Sequence, residues 1–417
     1  MLNSAGTATN SDRTAQRLVE HPASQSRKLQ RAIDDAWRFV PFYREVWRRA
    51  GVDPQTLRLP ENFHDLPIIG KPDLQQFSVE ERTDERYRAR RRLSVESSSG
   101  STGQPFDMYL DAASLRRRRW RFLRALLACG YRPGRRLMLI SSQPTAVIER
   151  RPSWLHRIGW VYADVSSSGA ALLRAYLASR PHILYGPLSS LLVLGQDLAA
   201  GEKITHRPDV VISTAEQVTV MQRQSLLRFF GTDVTDFYGM TELGLVAWRR
   251  PGDSSYRLEE GGFLFEFLPA EGGAGLERLV VTDLNGGAMP WIRFDTGDLV
   301  RRDAGRIGTP VLEFYGRAVD CLLLPGDRRL SPYRLISALE EVSGIERFEV
   351  IQREDWSVDV NVWSPLVDVL PILKRVETAV REACDGLVQV RAHHRTELLS
   401  ASAGKLRPIQ SYAQAPK

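Results

Sequence analysis

Residues 182–214 read HILYGPLSSLLVLGQDLAAGEKITHRPDVVIST. Two short apolar runs, His182–Tyr185 and Val210–Ser213, flank a helical stretch at 187–200. The same alternation extends outward on both sides. Leu137–Ile140 and Leu279–Thr282 are further strand-like runs, and helices are expected near 113–128, 170–179 and 218–230. Strands that alternate with helices predict a layered α/β domain. Residues 261–268 (GGFLFEFL) and 278–283 read as a β-rich subregion of it.

The texture changes after Gly316. Two strands are expected at 345–354 and 356–363, the second alternating at Val358, Val360 and Val362. Helices at 332–343 and 367–384 and a strand at 387–393 complete a compact α+β unit. The expected organisation is a loose N-terminal segment (1–24), a large α/β domain (25–316) and a small C-terminal domain (317–417), which the resemblance given below implies to be mobile. Leu29, Ile33, Trp37 and Val40 recur at helical spacing before Pro41 interrupts the helix.

Composition removes several classes of protein. The 417 residues are 43% hydrophobic and 26% charged, so the chain is neither disordered nor fibrous. No apolar run approaches the roughly 18 residues of a membrane span. The first twenty residues lack the apolar core of a signal peptide, so a cytoplasmic location is expected. Three scattered cysteines make neither a disulfide framework nor a zinc site. The net charge of +7 includes basic runs at Arg86–Arg92 and Arg116–Arg119. Successive helical arginines spread around the circumference, which predicts a solvated face and no nucleic-acid partner.

Five motifs carry chemistry. Ser97-Ser-Ser-Gly-Ser-Thr-Gly-Gln-Pro105 concentrates hydroxyls and small residues that let backbone N–H groups converge on phosphates. Asp236-Phe-Tyr-Gly-Met-Thr-Glu-Leu-Gly244 sets a carboxylate beside a hydroxyl and an aromatic ring. In Met289-Pro-Trp-Ile-Arg-Phe-Asp-Thr-Gly-Asp-Leu299, Asp298 follows a Thr-Gly turn, exposed and suited to accept two ribose hydroxyls. Tyr315-Gly-Arg-Ala-Val-Asp320 places an arginine at the domain junction, and Ser402-Ala-Gly-Lys-Leu-Arg407 carries a lysine in a Gly loop. Each has a plainer reading alone: a simple loop, a core aromatic at a strand end, a solvated lysine.

In this order, the five motifs resemble those of the adenylate-forming superfamily of acyl-CoA synthetases and adenylation domains. Val40-Pro-Phe-Tyr-Arg44 and Leu66-Pro-Ile-Ile-Gly-Lys-Pro-Asp-Leu74 resemble the phenylacetate–CoA ligase-like branch, and the likeness spans about residues 25–412. The resemblance implies ATP-dependent activation of a carboxylic acid as its acyl-adenylate, then acyl transfer to coenzyme A. Transfer to a carrier-protein phosphopantetheine or an amine is the alternative acceptor chemistry, with an acidic carrier protein as partner. An inactive nucleotide-binding homologue is the third reading, opposed by the retained Glu242, Asp298, Arg317 and Lys405.

By the same resemblance, Ser98, Ser99, Gly100, Ser101, Thr102 and Gly103 hold phosphates, Glu242 holds Mg²⁺, and Thr241 sits by the α-phosphate. Tyr238, with Gly239 and Met240, packs on adenine beside Ala215 and Glu216. Asp298 and Arg317 bind ribose, and Lys405 bridges the carboxylate and the α-phosphate. The acid is expected to be aryl or arylacetic, in a pocket walled by Tyr185, Gly186, Pro187, Ser213, Thr214 and Phe237. The expected assembly is a monomer or homodimer. Val319 departs from the family's acidic hinge pattern, Val165–Leu172 from its polar pattern, and the cysteine-rich metal feature of some members is absent.

Overall fold

A computed structural model describes residues 23–59, 61–88, 93–98, 106–141, 159–200, 206–270, 275–303, 311–326, 328–396 and 408–413. The chain opens with α1 (Ala23–Phe39) and α2 (Pro41–Arg49). Val40 stands between them with extended backbone, as a residue before proline must, and Pro41 starts the second helix. Short helices α3 (Lys71–Gln75) and α4 (Glu85–Arg88) precede a hairpin of β1 (Ser94–Ser98) and β2 (Phe106–Leu110). That hairpin brackets the Ser/Gly segment, of which 99–105 lie outside the described residues.

The main body is a seven-stranded sheet ordered β4-β3-β5-β6-β7-β8-β9. Its strands are β3 (Leu137–Ser141), β4 (Trp160–Asp164), β5 (Ile183–Pro187), β6 (Val210–Thr214), β7 (Val234–Met240), β8 (Gly244–Arg249) and β9 (Arg257–Leu258). The first five pair in parallel and the last two antiparallel. One face packs on α6 (Gly169–Ser179), α7 (Leu188–Ala200) and α8 (Val220–Phe230), through Leu172, Leu191, Leu226 and their neighbours. The other face packs on α5 (Ala112–Ala128). Local signals fit these elements: Asp111 caps α5, Ser168 caps α6, and Thr219 with Gln222 forms a capping box on α8. The layered α/β fold, its four expected helices and the strands β3, β5 and β6 lie where the sequence predicts; β4, β7, β8 and β9 are additional.

The β-rich subregion is an antiparallel sheet of β10 (Phe263–Pro269), β11 (Glu277–Asp283), β12 (Phe294–Arg302) and β13 (Val311–Arg317). It shares a core with α1 and α2, where Tyr43 donates to the Pro290 carbonyl and accepts from the Ile292 N–H, both at 2.9 Å. After a short turn at Ala318–Asp320 come the hairpin β14 (Leu322–Leu324)/β15 (Arg328–Leu330), α9 (Pro332–Glu340), β16 (Arg347–Gln352), β17 (Val358–Trp363), α10 (Leu370–Ala383), β18 (Val390–His394) and β19 (Ile409–Ser411). Their sheet runs β18-β17-β16-β19 over a core of its own, which Met221 of α8 joins. Strand β19, pairing parallel with β16, was not expected, because three residues hold too little alternation to read. Among the described residues no helix is long and apolar enough to cross a membrane.

Candidate active site

The candidate site gathers at the carboxyl ends of the parallel strands, where open α/β sheets place their ligands. Strand β7 delivers Tyr238, Gly239 and Met240, and a tight turn through Thr241, Glu242 and Leu243 leads into β8. Gly239 and Gly244 permit the return: a Cβ on Gly239 would meet the Gly244 carbonyl oxygen at 2.8 Å, and Gly244 has φ +74°.

Tyr238 is fixed on two sides. Its ring stacks on Phe314 of β13 at 3.8 Å, and its hydroxyl donates to Asp298 Oδ2 at 2.5 Å. Asp298 lies on β12 opposite Arg317 of β13, whose Nε is 3.9 Å from Oδ1. Its turn is held by Gly297 N–H donating to Asp295 and Asp298 N–H donating to Thr296. Sequence reasoning expected Asp298 to be exposed, but its side chain is only 15% exposed, because Tyr238 reaches it from across the molecule. Burial pushes its carboxyl up to about 6, against the lowering effects of the Tyr238 hydroxyl and the Arg317 charge.

Glu242 sits in a different setting. Its side chain is 3% exposed, and Oε1 lies 2.6 Å from Lys71 Nζ, an ion pair without the directionality of a hydrogen bond. Lys71 starts α3, and the strand-like bridge between Ile69 and Phe294 sets its position. Behind the bridge, Arg293 pairs with Glu266 at 2.8 Å, both buried, and donates to the carbonyls of His64 and Leu66. The segments 66–74 and 289–299, read separately in the sequence, are thus stitched together.

The arginine run of α5 corrects an expectation. Arg118 is 15% exposed and points inward, donating to Glu96 Oε2 (3.0 Å), the Thr241 carbonyl (2.8 Å) and the Glu242 carbonyl. Arg121 donates to the Leu243 carbonyl at 2.9 Å. Four arginines spread around a helix must send at least one inward, and here both Arg117 and Arg118 find backbone acceptors. The i, i+3 spacing of Arg118 and Arg121 is the signal that would have found them.

Beside this turn, Ala215 adopts a left-handed backbone at φ +67°, a strain of order 1–3 kcal/mol for a non-glycine residue. Glu216 then accepts from the Ser189 N–H and hydroxyl, both at 2.8 Å, at the start of α7. Of the pocket residues, Tyr185, Thr214 and Phe237 share the face covered by α5, where Phe122 meets Tyr185 and Phe237 edge-on. Pro187 pairs with Thr214 on that face. Ser213 pairs with Gly186 and Asp236 on the opposite face, so it is turned toward the helices and away from Tyr185. Gly186 has no room for a side chain: a Cβ would lie 2.9 Å from Ile140 Cβ. Phe122 is a wall that the sequence reading did not include.

Ser98 ends β1; its side chain, all of Ser99, Gly100, Ser101, Thr102 and Gly103, and Lys405 lie outside the described residues. The three cysteines are buried, with the Cys129 thiol pushed up to about 12 and that of Cys384 to about 11 by burial. Among the described residues no cluster of three His, Cys, Asp or Glu side chains forms a metal cage. The buried Oε1 of Glu242 suits a cation completed by phosphate oxygens, since Mg²⁺ usually takes one or two carboxylates plus substrate phosphates.

No family model matches the chain. It is 26% identical over 376 residues to a phenylacetate–coenzyme A ligase of Thermus thermophilus, covering 81% of this chain and 79% of that protein. Among solved structures, 2-hydroxyisobutyryl-CoA ligase in its postadenylation state with 2-HIB-AMP superposes with a TM-score of 0.72 at 17% identity, covering 95% of this chain and 91% of that one. The same ligase with 2-HIB-AMP and CoA in its thioesterification state gives 0.58 at 18% identity and the same coverage. In sequence, along four fifths of its length, the chain is similar to a phenylacetate–coenzyme A ligase, and in fold it is similar to 2-hydroxyisobutyryl-CoA ligase.

Proposed function

We propose that the chain is an ATP-dependent acid–thiol ligase acting on an aryl or arylacetic acid. A carboxylate oxygen of the acid attacks the α-phosphorus of ATP, pyrophosphate leaves, and an acyl-adenylate forms. The thiol of coenzyme A then attacks the acyl carbon, AMP leaves, and the thiol proton passes to solvent. The observation that carries this reading is the convergence of Tyr238, Asp298, Arg317, Glu242 and Lys71, from four separate motifs, at one end of the sheet. Asp298 and Arg317 suit ribose hydroxyls, Tyr238 suits the edge of a flat base, and the turn at Thr241–Glu242 suits phosphates.

Magnesium, held by Glu242 and the nucleotide, would neutralise phosphate charge. Lys71 must then yield the carboxylate, which its part-exposed side chain permits. Lys405 is assigned to the charge developing between carboxylate and α-phosphate. Phe122, Tyr185 and Phe237 supply an aromatic wall for a planar acid, which supports the aryl assignment, as does the similarity to phenylacetate–coenzyme A ligase. Residues 317–417 are assigned as a unit that changes position between the two half-reactions. The better superposition on the postadenylation state than on the thioesterification state supports placing this conformation on the adenylation side.

The test is acid-dependent pyrophosphate exchange across a panel of aryl, arylacetic and short aliphatic acids, followed by thioester detection with CoA. Exchange with aryl acids and formation of the CoA thioester are expected. No exchange with any acid removes the ligase reading. Exchange without a CoA product moves the acceptor to a carrier-protein phosphopantetheine or an amine.

A further inference from the structure

Three successive carbonyls, those of Thr241, Glu242 and Leu243, are directed at α5, where Arg118 takes the first two and Arg121 the third. Peptide planes set each N–H opposite the preceding carbonyl, so the N–H groups of Glu242, Leu243 and Gly244 point away from α5. Arg118 also donates to Glu96, on the strand that runs straight into the Ser/Gly segment. Gly244 leaves room for this: a Cβ there would lie 3.2 Å from Arg118 Cγ.

We propose that Arg118 is a positioning residue: fixed by Glu96 of β1, it holds the carbonyls of the Thr241–Glu242 turn, so that Glu242 and the turn's outward N–H groups are set for the nucleotide phosphates. The inference rests on the reading of Glu242 as the carboxylate on the phosphate side. Arg118 acts through the backbone and does not itself meet the nucleotide. Its planar fork serves acceptors from two elements more than a hundred residues apart, which a lysine ammonium, a single point of charge, does not span. Enclosed by protein, the guanidinium gains only where all these acceptors hold their places.

The experiment compares wild type, Arg118→Lys, Arg118→Ala and Glu96→Ala in three assays. These are pyrophosphate exchange under magnesium titration, thioester formation from synthetic acyl-AMP and CoA, and equilibrium binding of Mg·ATP. For Arg118→Ala, adenylation kcat should fall about 10²-fold, the scale of a misplacement of about 1 Å, with a raised magnesium requirement. The acid KM and the acyl-AMP half-reaction should stay near wild type. Arg118→Lys should recover little, and Glu96→Ala should weaken Mg·ATP binding severalfold with the fold intact, which keeps the test alive if Arg118→Ala does not fold. An unchanged magnesium titration, full rescue by lysine, equal loss in both half-reactions or unaltered Mg·ATP binding in Glu96→Ala overturns the proposal. Failure of the ligase reading looks different: wild type itself shows no exchange, and Arg118 is then judged on Mg·ATP binding alone. Equal binding by wild type and Arg118→Ala, or none by either, overturns it.

Discussion

The two carboxylates of the candidate site, Glu242 and Asp298, are kept in opposite ways. Glu242 is deeply enclosed and has a full positive charge against it, that of Lys71. Asp298 is nearly as enclosed, but its nearest partner is the neutral hydroxyl of Tyr238, with Arg317 at 3.9 Å. A cation at contact stabilises a buried carboxylate far more than a phenol does. One carboxylate therefore already faces a positive charge whose place a bound cation could take, while the other is left with a carboxyl pushed up to about 6. Site chemistry thus depends less on which acid is present than on what stands beside it.

The comparison can be broken most forcefully at Glu242. Glu242→Gln keeps the shape, removes the charge, and should lower adenylation about 10²-fold at limiting magnesium while raising the magnesium requirement. A magnesium titration superimposable on wild type would remove its metal role. Removing the partner instead gives a different signature. Lys71→Met leaves Glu242 buried without its cation and should destabilise the fold by up to about 3 kcal/mol. Added Mg²⁺ should raise the melting temperature of this variant more than that of wild type, because a bound cation stabilises by mass action. Equal magnesium responses would mean that the ion pair does not hold a cation site.

Asp298→Ala should weaken ATP binding by about 1–3 kcal/mol through loss of charge-assisted ribose contacts, with folding nearly intact. Unchanged affinity in a folded variant would take Asp298 out of the site. The smallest effect is on pH. With its carboxyl at about 6, Asp298 is an acceptor-only carboxylate above that pH and a neutral acid below it. Nucleotide affinity should fall by no more than about tenfold from pH 7 to pH 5, and the fall should vanish in Asp298→Asn. Stability runs the other way: a raised carboxyl binds more protons in the folded state, so this group's contribution declines as pH rises from about 4 to about 6. Calorimetry across that window, on wild type and Asp298→Asn, would show both trends or refute them.

Much of this site was legible because its residues act where their own segments put them. The strands at 183–187 and 210–214 announce themselves by apolar content, and Asp236–Gly244 is marked by its own residue types. What stayed hidden depends on distant partners. Nothing in a Thr-Gly turn says that Tyr238, sixty residues away, will cover Asp298. Nothing in four consecutive arginines says which face inward; the packing register of α5 decides that, and it turned Arg118 to the Thr241–Glu242 turn and Arg117 to the Gly286 carbonyl. Lys71 was visible only as part of a familiar pattern, since its partner Glu242 comes from another segment altogether. Ser213 was misplaced for a simpler reason: alternation along β6 turns its side chain away from those of Ile212 and Thr214.

The stitching of residues 64–74 has a consequence for synthesis. Arg293 holds the carbonyls of His64 and Leu66, and Ile69 bridges Phe294, so this early strap finds its seat only after about 230 further residues have been made. The parallel strands are sequence neighbours that emerge from the ribosome together, whereas the seat of the strap that carries Lys71 is built from β10 and β12, which emerge after them. The Glu242–Lys71 pair thus joins this early strap to the turn between β7 and β8, while the strap's own anchors, Arg293 and Phe294, come later still in the chain.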